Sequence, residues 1–395
     1  MAGSIKAMVE AEMLIWARKN SGLDIDMAAK KAQVKPEKLT EWENGNVRPT
    51  IKQLRKLGKV YKRPIAFFYL PEPPRDFQAM KDCRRFPGVT GFSVSPELIY
   101  EIRRAFEKRE IAIELYKAMD SKPPELKVKA SLSDDPEKLG DHLRKVLDVK
   151  FEEQIQFKSS YDALNYWRSK VEERGVLVFS ATDVKIEEMR GFAIGEPPLP
   201  AIVVNIKDSP YGRVFSIIHE LVHIILKESC LCDSHDAEDL PPEKREVEIF
   251  CNAVAGCTLV PRRNILKEEL VEKKTNACEW TDDELKGLAK RYGVSRETML
   301  RRLLEYGRTN ESFYKEKRAQ FIKEYTQPQR KRKKAIPQPY RIAISKAGRP
   351  LVKLVLNNYY KQTITSSDVS DFLEIRLKHL KKIEDEVMGP NIVID

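Results

Sequence analysis

Residues 213–226 read Arg213-Val214-Phe215-Ser216-Ile217-Ile218-His219-Glu220-Leu221-Val222-His223-Ile224-Ile225-Leu226. The centre of this run, His219-Glu220-Leu221-Val222-His223, is H-E-x-x-H within an apolar helical stretch. Positions i and i+4 share a helix face, so both imidazoles can reach one metal ion, with Glu220 beside it. A lone histidine on an apolar helix is ordinarily a satisfied core residue. Here two of the chain's five histidines stand at this spacing with a glutamate between them, and the pattern points to a hydrolytic zinc site.

Two histidines supply two ligands. A catalytic zinc takes three from the protein and keeps one position for water. The third should come from a helix downstream, and the run Lys244-Arg245-Glu246-Val247-Glu248-Ile249-Phe250-Cys251-Asn252-Ala253-Val254-Ala255-Gly256 offers two acids. Glu248 opens E-x-x-C-N-x-V-A-G, in which Cys251, Ala255 and Leu259 recur at helical spacing. Glu246 lies about 200° around the same helix, so only one of the two faces the metal. Cys230-x-Cys232-x-x-His235 offers three ligand types in a polar loop, either a second zinc site or a solvated loop with free thiols.

The rest of the chain bounds the setting. Its 395 residues exceed one typical domain, and a 42% apolar content supports true cores. The net charge of +11 permits nucleic-acid contact without demanding it. Six cysteines form no secreted framework, the N-terminal stretch lacks the features of a signal peptide, and no run of about 18–20 apolar residues offers a membrane span. The expectation is a cytoplasmic protein that does not enter membranes.

Upstream, helical patterns at 11–20, 24–31, 37–43 and 49–61 are punctuated by Ser21-Gly22, Val34 and Asn44-Gly45. Ala29, Val34, Leu39, Trp42-Glu43-Asn44-Gly45, Arg48-Pro49-Thr50 and Leu54 resemble the core and turn positions of the phage-repressor (Cro/C1-like, XRE) helix-turn-helix. Its recognition helix would present Lys35, Lys38 and Thr40 to nucleic acid, but also Glu37 and Glu41, and no Arg, Asn or Gln stands at the usual base-reading places. DNA binding and a docking role both remain open for this module. Further helices are expected at 96–119, 135–147 and 160–174, then strands at 175–179, 189–194 and 201–205. Helices at 243–257, 282–291, 295–306 and 311–324 follow, and two more at 350–360 and 367–374 before a charged end.

The stretch from Asn205 to Pro261 resembles the ImmA/IrrE family of zinc metallopeptidases. Asn205, Arg213, Phe215, His219-Glu220-Leu221 and His223 answer to the first part of its pattern; Glu248, Asn252, Ala255, Leu259 and Pro261 answer to the second. Cys251 and Val254 replace the usual Ala and Phe at packing positions, and Phe215 is one place off. The resemblance favours Glu248 over Glu246 as the third ligand. It implies an α+β, mainly helical fold: a zincin-like domain with a small sheet, an N-terminal all-α helix-turn-helix domain and a helical C-terminal segment. The corresponding division is 1–74 helix-turn-helix, 75–130 helical connector, 131–328 metallopeptidase, 329–338 basic linker and 339–395 C-terminal segment.

On this reading zinc, with manganese as another usable ion, is held by His219, His223 and Glu248, and Glu220 is the general base. Tyr211 or Arg213 is the candidate second donor to an oxyanion, the strand at 190–194 a lane for an extended peptide, and Asn205 and Asn252 supporting hydrogen-bonders. The resemblance further implies limited cleavage of a protein partner, a helix-turn-helix repressor, in stress response or mobile-element control. The alternatives are a DNA-binding or antitoxin-like regulator whose zincin domain senses or docks, and a metallohydrolase acting on a small substrate.

Overall fold

Four helices open the chain: α1 (Ala11–Asn20), α2 (Ile25–Ala32), α3 (Pro36–Glu43) and α4 (Ile51–Val60). The computed structural model describes residues 5–73, 95–227, 231–232, 242–274, 279–326 and 338–389. It divides into two units, Met1–Phe106 and Glu107–Asp395.

In the first unit local chemistry sets each helix start. The Asp24 carboxylate accepts from the Met27 amide, Pro36 occupies the first turn of α3, and Thr50 forms a capping box with Gln53. Gln33, at φ 56°, turns α2 into α3, and Gly45, at φ 75°, follows the end of α3. Leu14, Ala17, Ala29, Leu39, Trp42, Leu54 and Leu57 are buried together. Arg18 donates to both carboxylate oxygens of Glu43 at 2.8 Å, and both residues are buried. The apolar strip after α4 is a 3-10 turn, Ile65–Tyr69, that buries Phe68. Trp16 is only partly buried, its ring 5.1 Å from that of Phe67 and beneath the Arg63 guanidinium.

The long helix α5 (Pro96–Ala118) is followed by α6 (Pro136–Val146), α7 (Phe151–Gln154) and α8 (Ser160–Glu172). Next come β1 (Leu177–Ala181), β2 (Gly191–Ile194), β3 (Ala201–Asn205), the H-E-x-x-H helix α9 (Pro210–Ile225), the two-residue β4 (Leu231–Cys232) and α10 (Pro242–Leu259). Strand β1 begins two residues later than the sequence pattern suggests, because Gly175 takes φ 82° and still belongs to the turn. The sheet order is β1-β3-β2-β4. Strands β1 and β3 are parallel, with Leu177 opposite Ala201; β2 runs antiparallel to β3, and β4 antiparallel to β2. Every residue of β1, β2 and β3 is buried, as expected for strands covered on both faces.

Helix α9 packs on β2 and β3 and is flanked by α8 and α10, while α6 lies along α10. The last carbonyls of α10 lack intrahelical donors and are met from elsewhere in the core. Arg144 reaches Thr258 O at 2.9 Å, and Gln154 Nε2 reaches Leu259 O and Tyr292 O at 2.8 Å each. Beyond α10 lie α11 (Arg262–Ile265), α12 (Glu269–Lys273), α13 (Asp282–Tyr292), α14 (Arg296–Glu305) and α15 (Glu311–Thr326).

The C-terminal segment holds α16 (Pro339–Ala347), α17 (Arg349–Tyr360), α18 (Ser366–Leu373) and α19 (Leu380–Met388). The first and last of these go beyond the sequence reading. Gly348, at φ 79°, separates α16 from α17 and conceals one helix behind the other, and the charges of α19 mask an apolar edge of Ile383 and Val387. Helix α16 lies along β1: Arg168 donates to Val178 O and Ser345 O, and the Ser345 and Ser180 hydroxyls are 3.1 Å apart. That edge of the sheet is therefore covered. Cys83, Cys230, Cys278, His235 and the basic run 329–334 lie outside the described residues, as does the side chain of Cys232.

Candidate metal centre

Ser209 caps α9 through the Gly212 amide and Pro210 fills its first turn, so the helix starts cleanly two turns before His219. From Val214 to Ile225 every residue but Phe215 is buried. His219 and Glu220 are 5% and 0% exposed, and His223 is 0%. The helix is apolar almost all round because sheet and helices enclose it, and the ionisable groups are embedded in that enclosure.

The three anticipated ligands converge. His219 Nε2 and His223 Nε2 are 3.1 Å apart, His219 Nε2 and Glu248 Oε2 are 3.2 Å apart, and His223 Nε2 and Glu248 Oε1 are 3.3 Å apart. Donors about 2.0–2.1 Å from a tetrahedral zinc stand about 3.3–3.4 Å from one another, so the triangle has the size such an ion requires. Among the described residues this is the cluster of three or more His, Cys, Asp or Glu side chains able to hold a metal. Two imidazoles and a carboxylate suit zinc and, less selectively, other divalent ions. The competing acid, Glu246, is exposed on another face of α10.

Electrostatics agree with the geometry. Burial works to raise the Glu248 carboxyl, but hydrogen bonds and charge from His219 and His223 hold it far below the usual carboxylate range. Burial also disfavours charge on His219, yet the bond and charge of Glu248, with help from Glu220 and Asn252, lift its imidazole above the ordinary value. The cluster therefore draws positive charge, whether a proton or a divalent cation.

Glu220 lies against β2. A Cβ placed on Gly191 would stand 3.0 Å from Glu220 Oε1 and 3.3 Å from Glu220 Cγ. The outer edge of β2 is not bare at this point, for Cys232 of β4 pairs with Gly191 and Leu231 with Phe192. The anticipated peptide lane is thus partly taken by the chain's own strand. Phe215, one turn before His219, stacks on its ring with centroids 6.1 Å apart.

Tyr211 is eight residues before His219, about 12 Å along the axis, and helix side chains lean toward the N-terminus. Arg213 is buried with its guanidinium 5.6 Å from the Tyr161 ring. Asn205 is fully buried and bonds Val184 O and Met189 O, so it fastens the loop before β2. Asn252 lies close enough to His219 to add to the upward shift of its imidazole.

In the helix-turn-helix unit Lys35 and Lys38 are exposed and Thr40 is half-buried. The Lys38 ammonium lies 5.9 Å from the Trp42 ring and Thr40 Oγ1 donates to Pro36 O. Glu37 and Glu41 share the exposed surface of α3 and offset the two lysines.

Comparison with protein families matches residues 171–304 to the IrrE N-terminal-like domain of the M78 peptidases and residues 14–68 to a helix-turn-helix domain. The chain carries both domains, as the sequence resemblance implies. A search of curated proteins finds no match. Among the described residues no helix is long and apolar enough to cross a membrane.

Proposed function

We propose that this protein is a cytoplasmic zinc-dependent regulatory peptidase that makes limited cuts in a helix-turn-helix repressor or similar regulator. The observation that carries the reading is the triangle of donor atoms from His219, His223 and Glu248, with Glu220 one residue from the first ligand. His219 Nε2, His223 Nε2 and the Glu248 carboxylate would hold the ion, leaving a position for water or substrate. When bound, zinc supplies Lewis acidity that lowers the pKa of water and polarises a carbonyl. Glu220 takes the proton of the attacking water on its carboxylate and returns it to the departing amine nitrogen. Burial of Glu220 beside Gly191 keeps bulk water from that carboxylate and fixes its direction.

The decisive experiment compares wild-type protein with Glu220→Gln, both zinc-loaded, by profiling new protein termini in cells that express candidate repressors. Discrete cleavage by wild type and none by Glu220→Gln at equal metal content supports the reading. Cleavage that survives in Glu220→Gln contradicts it.

A second reading rests on the helix-turn-helix domain at 14–68. On it the protein is a DNA-binding regulator, and the metal domain senses or docks. Sequence-specific operator binding with no proteolysis in any metal state would favour it.

A further inference from the structure

The first unit contains a cleft of about 190 Å³ where the ends of α2 and α4 meet the start of α5, and no residue of α3 lines it. Its walls carry Lys31, Lys59, Lys62 and Arg103, with Glu97 as the one carboxylate and Tyr100 as the aromatic surface. Across the whole chain bases outnumber acids only 71 to 60, so a concave wall with four cations to one acid departs from the average surface.

Three further features mark the cleft as a place for negative charge. The 23-residue helix α5 begins there, and the partial positive charge of its N-terminus adds to the lysines. Glu97 sits in that first turn, 2.8 Å from Lys31 Nζ, and Lys31 together with Lys62 holds its carboxyl below the usual value against the opposing effect of burial. Glu97 thus shows what the cleft selects. Tyr100 is crowded by cations, with Lys62 Nζ at 5.4 Å and the Arg103 guanidinium at 5.3 Å from its ring. Arg103 is buried and bonds Lys62 O at 2.7 Å, which fixes both the guanidinium and the turn that presents Lys62.

We propose that this cleft binds a phosphate group, presented by a small phosphorylated molecule or by a nucleic-acid backbone. Compact ammonium groups from separate elements around a helix N-terminus suit a phosphate, and the volume is below the usual range of about 300–1,000 Å³ for drug-sized ligands.

The test is calorimetric titration of the full-length protein with sodium pyrophosphate, and separately with a short random DNA duplex, at roughly 50 mM salt where screening is modest. Saturable binding is expected. The double variant Lys59→Gln, Lys62→Gln should weaken it by about tenfold or more, since tenfold corresponds to only about 1.4 kcal/mol. Glu97→Gln should tighten it several-fold, an effect that mere loss of folding cannot produce. If a free phosphate compound is the ligand, pyrophosphate follows this order and the duplex does not. If the backbone is the source, the duplex follows it, and its salt dependence falls in the double variant by about two released counterions. No saturable binding of either probe, or binding indifferent to all three substitutions, overturns the proposal.

Discussion

Gly191 faces Glu220 with little room to spare: a Cβ added to the glycine on β2 would stand 3.0 Å from the carboxylate Oε1 and 3.1 Å from the Val203 carbonyl. The proposed base is therefore positioned by the strand beside it as well as by its own helix. Gly191→Ala should keep the metal but press on Glu220 and on the Val203 carbonyl of β3, displacing the carboxylate by a few tenths of an ångström. Peptidase activity should drop by about ten- to a hundredfold, the scale on which small misplacements act. Parallel kinetics and metal analysis check this, and unchanged activity at full metal content would show that Gly191 does not set the position of the base.

The ligand assignment is tested by removal. His219→Ala and Glu248→Ala should each lose metal, by more than the roughly 10–100-fold in affinity typical of changes to a supporting residue. Glu246→Ala should retain wild-type content, because that side chain is exposed on another face of α10. Plasma mass spectrometry of the purified proteins decides, and full occupancy in either of the first two removes the site as drawn.

Inside the helix-turn-helix unit, Glu43→Ala strands the buried Arg18 guanidinium, which now makes two 2.8 Å bonds to that carboxylate. Losing one partner of a buried pair costs about 3–5 kcal/mol. Urea unfolding followed through the buried Trp42 should show it. A loss under about 1 kcal/mol would place the pair among ordinary surface ion pairs.

Cys257 is 3% exposed, and burial pushes its thiol up to about 12. At pH 8 it should stay protonated and resist iodoacetamide in the folded protein, then react fully in denaturant. Mass spectrometry of the labelled peptide reports both states, and rapid labelling of the native protein would contradict the burial.

Features carried by one local period were readable from the residues alone. The spacing of His219 and His223 is a property of one helix, and the helical period of Cys251, Ala255 and Leu259 narrows the third position to one of two acids, between which the family resemblance favours Glu248. The small sheet before α9 and the mainly helical remainder are likewise written in local patterns. What stayed hidden depends on distant approach. Arg18 and Glu43 lie 25 residues apart in sequence, and β4 has two residues and hence no pattern. The closeness of Gly191 to Glu220 exists only once strand and helix are packed, although a glycine inside a strand is a recognised hint of such an approach. Helix α19 was masked by its own charges.

The tie from Gln154 to Leu259 O and from Arg144 to Thr258 O bears on how the M78-like part can be isolated. A fragment cut at the limits of the family match, 171–304, would start at the end of α8 and discard α6 and α7. The C-terminal carbonyls of α10, the helix that carries Glu248, would lose these donors, and α10 would lose one of the two helices packed along it. A usable expression boundary therefore lies ahead of Asp135, the cap of α6, rather than where the homology begins.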